Sequence, residues 1–274
     1  MKFLAILIVV LFYRHWTGVN PVREFIPLSS YLSWIRRSDL TRGVQYVVSV
    51  GLPALLLWLI VVFTRDWFAG LIWLLICVLV LLYAIEKVVE RTAFDRQENW
   101  LRTIGEEDQL SSVVQYQKDF QSRVVYESFQ NLHPPLLWFL ILGPVGVLVY
   151  VVSRDYQAQF DEEDEKGSGL AATIVFWMEW IPARITGFIY ALLGDFGRCF
   201  GEWLRWFADT SAEVGATLEL WAESAMRIGD TYGEDVESFK RRAAEDIREM
   251  RLLLDRSVWG WVGLAAIVTV MGWS

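Results

Sequence analysis

The sequence predicts an all-α, polytopic helical membrane protein with amphipathic helices outside the bilayer. Three observations predict it. Residues 46–63, 67–85 and 136–152 carry no charge, and 258–273 forms a shorter fourth apolar run. A bilayer core about 30 Å thick needs roughly 17–25 helical residues to cross. The first two runs are separated only by Thr64-Arg65-Asp66, too short a link for two unrelated core helices of a soluble protein. Finally, the 274-residue chain is 54% hydrophobic and holds 15 tryptophans, the residue that collects at membrane interfaces.

Taken in order, Met1 to Tyr13 opens with one lysine and an apolar run, like a signal peptide. Arg14-His15-Trp16 follows where a small-residue cleavage site would stand, so a retained helix is expected. Thirteen helical residues reach only about 20 Å, so this helix spans with its flanks or lies partly within the bundle. Residues 14–45 are mixed and amphipathic, and Pro21 and Pro27 prevent one helix through their first half. After the second apolar run no breaker intervenes, which predicts a helix continuing from Ile85 to Ile104. Gly105-Glu106-Glu107-Asp108 is the expected turn, and Ser111 or Ser112 the cap of a helix reaching Leu132. Val113, Val114, Tyr116, Phe120, Val124, Val125 and Phe129 recur mostly at three- and four-residue steps, so 87–134 reads as a hairpin packed on itself. Pro134-Pro135 is expected to end it and start the next span.

The acidic run 161–165, followed by Lys166-Gly167-Ser168-Gly169, reads as a solvated loop rather than a cation site. Residues 171–196 are apolar except for Glu179, Arg184 and Asp195, with Pro182 in the middle. Residues 197–257 are charge-rich and amphipathic, expected as two or three helical pieces around Gly215 and Gly233 before the last span.

Basic residues orient such a chain. With six crossings and the N-terminus outside, 20 of the 25 Lys and Arg fall in 14–46, 87–134 and 197–257, on the cytoplasmic side. If 171–196 dips in and returns, that bias disappears, so a full crossing is expected.

Charge and motifs narrow the function. A net charge of −8 argues against nucleic acid as a partner, because such binding needs a basic surface. Zinc, P-loop and dinucleotide motifs are absent from the sequence. Cys77 lies in an apolar run and Cys199 near a helix end, read as buried residues rather than a disulfide. With only His15 and His133 present, a histidine-built metal centre is not expected, and no cofactor is implied.

An ionisable side chain in a bilayer costs several kcal/mol unless paired or hydrated, which singles out Glu179 and Arg184. Pro182 deprives the Met178 carbonyl of its usual donor and weakens the helix near Glu179. In a straight helix, positions five apart lie about 140° around the axis, so Glu179 and Arg184 meet only through a kink. Two readings of Arg184 stay open: a lock between helices, or a contact for an anionic ligand. Gly194, Gly197 and Gly201 suggest close helix packing, as do Gly143 and Gly146, where bending is also possible.

The run Trp180-Ile181-Pro182-Ala183-Arg184-Ile185-Thr186-Gly187-Phe188-Ile189-Tyr190-Ala191-Leu192-Leu193-Gly194 resembles a block carried by the AmpE family of inner-membrane proteins. Leu11-Phe12-Tyr13-Arg14 is similar to a family segment that often has Glu where Tyr13 stands. Gly143-Pro144-Val145-Gly146 and Tyr150 fit the family's order of elements. The resemblance covers most of the chain, and its specific part is Pro182–Gly194. It implies one membrane domain over 1–274 and a bacterial inner-membrane regulator that modulates signalling around cell-wall damage and β-lactamase induction.

That family is related to the CobD/CbiB cobalamin-pathway enzymes, which attach aminopropanol to a corrinoid carboxylate. Their similar proline-alanine-arginine block follows an Asp-Asp-x-x-Asn pattern. Here the corresponding stretch reads Val175-Phe176-Trp177-Met178-Glu179. The paired acids that would bind a metal or activate an amine are missing, so a regulator is favoured over an enzyme and no catalytic residue is assigned. A divergent CobD/CbiB-like synthase, with Arg184 holding an anionic substrate, and a small transporter remain as alternatives. The expected partners are the lipid bilayer and proteins docking on the cytoplasmic helices of 87–134 and 197–257.

Overall fold

The computed structural model describes residues 2–15, 22, 28–64, 70–85, 88–105, 109–159, 165–226 and 235–272. Among them the chain is all-helical, with eleven longer α-helices. These are α1 (Lys2–His15), α2 (Leu28–Arg36), α3 (Arg42–Thr64), α4 (Leu71–Ala84), α5 (Val88–Thr103) and α6 (Leu110–Leu142). They continue with α7 (Pro144–Gln157), α8 (Glu165–Leu193), α9 (Phe196–Trp206), α10 (Val214–Met226) and α11 (Val236–Val270).

The helices form two compact units. The first comprises 1–86, 131–179 and 262–274; the second comprises 87–130 and 180–261. In the first, α3 and α4 both pack against α7, and α1 packs against α4. Leu32, Tyr46, Val50, Val152, Tyr156 and Ala171 make one buried cluster. Tyr46 and Ser153 share a 2.8 Å hydroxyl hydrogen bond inside it.

The second unit contains the α5–α6 hairpin. Phe94 meets Phe120 edge-on at 5.8 Å and Trp100 meets Tyr116 at 4.3 Å. Between these aromatic pairs, the buried Gln97 amide donates to Gln117 Oε1 at 2.7 Å. Arg251 of α11 lies over the Phe94 ring at 5.0 Å and reaches Glu98 and Asp95 at 3.2 and 3.4 Å.

Two helices among the described residues are long and apolar enough to cross a membrane, α3 with a mean hydropathy of 2.5 and α11 with 1.3. Only 11% of the most apolar stretch of α3 is buried, and Leu55 and Leu56 are each 53% exposed. Water does not tolerate a continuous apolar surface of that kind, whereas lipid does. The helices α1 and α4 are apolar but shorter.

Several boundaries differ from the sequence reading. The helix expected to run from the second apolar segment to Ile104 breaks at Ile85, whose backbone is extended at φ −97°, ψ 124°. Conversely, Pro134-Pro135 does not end α6, which runs through to Leu142. Leu132, His133, Leu136 and Leu137 are buried on both sides of the prolines, and this packing holds the helix across the missing donors. The break falls instead at Gly143, with φ 70° and ψ −156°, and Pro144 starts α7. The run 136–152 is therefore divided between two helices.

Smaller differences have similar causes. Ser112 donates both its N–H and its hydroxyl to the Gln109 carbonyl, so the helix starts at Leu110 instead of at a serine cap. Gly215 sits inside the first turn of α10 rather than between helices. Lys166–Gly169 belongs to the start of α8 rather than to a loop. The expected turn at 106–108, the acids 161–164, and Pro21, Pro27 and Gly233 lie outside the described residues.

Candidate functional site

The site is centred on α8, where Pro182 interrupts the helical hydrogen-bond ladder without ending the helix. The carbonyl it leaves open, that of Met178, accepts the indole N–H of Trp138 at 2.9 Å. A tryptophan thus replaces the missing backbone donor, which would otherwise leave a polar atom in apolar surroundings. One turn later the Thr186 hydroxyl donates to the Pro182 carbonyl at 2.8 Å. The same hydroxyl accepts the Trp261 indole N–H at 3.2 Å.

Glu179 and Arg184 are buried, at 1% and 3% exposure. Each is held by different groups. Glu179 Oε1 accepts the Tyr150 hydroxyl at 2.9 Å. The guanidinium of Arg184 turns to the chain that follows α9. Its Nε donates to the Phe207 carbonyl at 3.2 Å, and its Nη2 to the carbonyls of Asp209 and Trp206 at 2.6 and 3.5 Å. The last carbonyls of a helix lack intrahelical donors, and a cation there also meets the negative end of the dipole. Arg184 therefore closes the C-terminal end of α9.

Indoles surround this contact. The guanidinium carbon lies 4.3 Å from the centre of the Trp180 ring and 5.6 Å from that of Trp221. Trp180 donates to the Asp209 carbonyl at 3.3 Å, and Trp203 donates to the Arg184 carbonyl at 2.8 Å. Charge-assisted hydrogen bonds contribute roughly 1.5–3 kcal/mol each, and a desolvated cation–π contact about 2 kcal/mol. Arg184 Nη1 is buried and has no hydrogen-bond partner among the described residues. The Asp209 carboxylate accepts the hydroxyl and N–H of Ser211 at 2.6 and 2.7 Å. Those bonds hold its carboxyl below the ordinary carboxylate range and fix the turn that aims its carbonyl at Arg184.

Glycines let the helices approach. A Cβ on Gly187 would lie 2.3 Å from the Trp221 ring, and one on Gly194 would lie 2.4 Å from the Ala225 carbonyl. On Gly146 it would fall 2.6 Å from Leu142 Cβ. Gly197 and Gly201 differ. A Cβ on Gly197 would meet only Asp195 Oδ1, at 3.7 Å, and one on Gly201 nothing within 4 Å. Trp138, Trp203 and Trp221 were not singled out by sequence reasoning, and Gly187 and Tyr150 only as part of the family resemblance. Trp180, one turn before Arg184, was the available signal for a stacked guanidinium.

The arrangement is suited to fixing backbone: an arginine on carbonyls, a carboxylate on a phenol, and indoles over both a cation and a proline-freed carbonyl. Residues 1–241 match the family described as Regulatory signalling modulator protein AmpE. Protein AmpE of Shigella flexneri is 22% identical over 118 residues, 41% of this chain and 42% of that protein. Cobalamin biosynthesis protein CobD of Stutzerimonas stutzeri is 27% identical over 149 residues, 50% of this chain and 48% of that protein. CobD of Chromobacterium violaceum is 24% identical over 155 residues, again 50% and 48%. The chain spans less than half the length of these curated relatives. No solved structure matches it. The family match extends from the first residue through α9, α10 and the start of α11, taking in the whole Arg184 clamp, and on that ground the chain belongs to the AmpE family of regulatory signalling modulators.

Proposed function

We propose that this protein is an inner-membrane modulator linking cell-wall damage to β-lactamase induction, acting through protein contacts. The observation that carries this reading is the family match over residues 1–241. The relative from Shigella flexneri supports it, as does a site whose charged groups bind backbone and phenol rather than converging on an open reaction centre. In this reading the N-terminus is periplasmic, and 87–134 and 197–257 are cytoplasmic surfaces for a partner. The placement of basic residues supports that orientation. Glu179, Pro182 and Arg184 set the shape of α8, with Arg184 as a positioning residue for the segment after α9.

The test is β-lactamase induction by a β-lactam in a strain lacking the protein, complemented with wild type or Arg184→Ala. An altered response restored by wild type alone is expected. An unchanged response on deletion would remove the regulatory reading.

The matches to CobD favour a second reading, a corrinoid-pathway synthase. Corrinoids are strongly coloured, so titration of the purified protein followed by absorbance decides it. Saturable binding would support a synthase, and its absence the modulator.

A further inference from the structure

We propose that 131–154 is a re-entrant hairpin, which enters the bilayer from one side, turns at Gly143 and leaves on the same side. The sequence reads 136–152 as a crossing, and contacts within the first compact unit give it a different course. This inference does not rest on the regulatory reading.

The two legs are the end of α6 and the length of α7. Asn131 Oδ1 accepts from Arg154 Nη1 at 3.0 Å, although in one continuous helix these residues would stand about 34 Å apart. Nearer the turn, a Cβ on Gly146 would lie 2.7 Å from the Trp138 carbonyl oxygen and 2.6 Å from Leu142 Cβ. Trp138 of one leg and Tyr150 of the other also reach adjacent residues of α8, Met178 and Glu179. Both legs therefore run side by side from a polar base at Asn131, Arg154 and Asp155 to an apolar tip.

Length decides that the tip does not reach the far side. Each leg is about 17 Å long, little more than half of a bilayer core of about 30 Å. Within the same unit α3 supplies a scale. Its Tyr46, one turn from the start of the helix, shares a hydrogen bond with Ser153 at the base of the hairpin. The rest of α7 packs along the part of α3 that follows. From that bond α7 has about 14 Å to run to Pro144, whereas α3 has about 27 Å to run to Thr64. The tip thus stops near the middle of a helix of membrane-spanning length.

A break in the backbone at that depth must be shielded from lipid and its polar groups paired. Gly143 and Pro144 are buried. The Gly143 N–H donates to the Phe139 carbonyl at 2.9 Å, and the Lys2 ammonium to the Leu140 carbonyl at 3.1 Å. That ammonium also meets the negative end of the α6 dipole. Ile141 and Leu142, 46% and 57% exposed, are the side chains the tip presents to lipid.

A returning hairpin changes the count of crossings. Arg251 of α11 meets Asp95 and Glu98 of α5 at 3.4 and 3.2 Å, so the chain between them crosses the bilayer an even number of times. With 136–152 returning, α8 does not cross either. Among the described residues it is not one of the two helices long and apolar enough to do so. Arg154 and Lys166 then share a side with the basic residues of 87–134 and 197–257, a stronger bias than six crossings give.

The test labels single cysteines of the full-length protein with a membrane-impermeant maleimide, in sealed membrane vesicles of either orientation. Thr41→Cys and Thr64→Cys mark the two ends of α3, Arg123→Cys and Ala158→Cys flank the hairpin, and Leu142→Cys marks its tip. Positions 41, 123 and 158 are exposed, while the native Cys77 and Cys199 are buried. Positions 41, 123 and 158 should all react several-fold faster in the same vesicle orientation, and position 64 in the opposite one. Leu142→Cys should react in neither until dodecyl sulfate unfolds the protein. Labelling of 123 and 158 in opposite orientations would overturn the hairpin and restore a crossing. Reaction of Leu142→Cys in either orientation would overturn the insertion of the tip. Positions 41 and 64 labelled together would overturn the depth taken from α3. For any variant whose unfolding temperature falls, Asp119→Cys and Gln157→Cys on the same helices repeat the comparison.

Discussion

Arg184 Nη2 and the Asp209 carbonyl are joined by a 2.6 Å hydrogen bond, which ties the middle of α8 to the turn beyond α9. Removing the guanidinium leaves the carbonyls of Trp206, Phe207 and Asp209 without this donor. Arg184→Ala should therefore destabilise the protein by about 2–5 kcal/mol. Arg184→Lys should recover part of the loss, because an ammonium lacks the planar fork. Arg198→Ala, on the exposed side of α9, should change stability by no more than about 0.5 kcal/mol. Thermal unfolding in detergent measures all three, and equal losses for Arg184→Ala and Arg198→Ala would refute the clamp.

Trp138 and Pro182 should be energetically coupled although they do not bond to each other. Trp138→Phe orphans the Met178 carbonyl and should cost about 1–3 kcal/mol. In a Pro182→Ala background, residue 182 regains its N–H and can bond that carbonyl, so the same Trp138→Phe change should cost less. A double-mutant cycle reads the difference directly; additivity would show that the indole contributes only packing.

The glycines separate into two classes. Gly194→Ala drives a methyl group into the Ala225 main chain and should cost about 1–3 kcal/mol. Gly201→Ala meets open space inside a helix and should be neutral or stabilising by up to about 1 kcal/mol. Urea or thermal unfolding of the two variants distinguishes them.

His133 supplies a pH signature. Burial pushes its imidazole down to about 3 from an ordinary 6.5. Above pH 6.5 folded and unfolded forms are both neutral at this site, and it adds no pH dependence. As pH falls below 6.5 the unfolded chain takes up a proton that the folded one does not, so stability declines progressively toward pH 3. His133→Gln should flatten this decline between about pH 7 and pH 4. With only two histidines in the chain, the difference between wild type and variant is specific to this site.

The helical class and the family were legible because both are carried by local pattern: apolar runs, and the block 180–194 with a proline two residues before an arginine. The partners of that arginine were not legible. Arg184 binds main-chain carbonyls, which every residue possesses, and side-chain identity gives no sign of which carbonyls lie near. Helix boundaries were less legible. Pro134-Pro135 reads as a stop, but buried neighbours on both sides sustain the helix, so packing overrode propensity there. Ile85 reads as continuation although the chain turns extended there. Trp138 illustrates the remaining gap: the open Met178 carbonyl follows from Pro182 alone, whereas its donor stands 40 residues earlier in the chain.

The Gln97–Gln117 bond inside the α5–α6 hairpin acts as a register mark. Both amides are buried between aromatic pairs. Sliding one helix along the other by a turn, about 5.4 Å, would break this bond and both ring contacts at once. The offset between the two helices is thus specified by a buried polar contact as well as by ring packing.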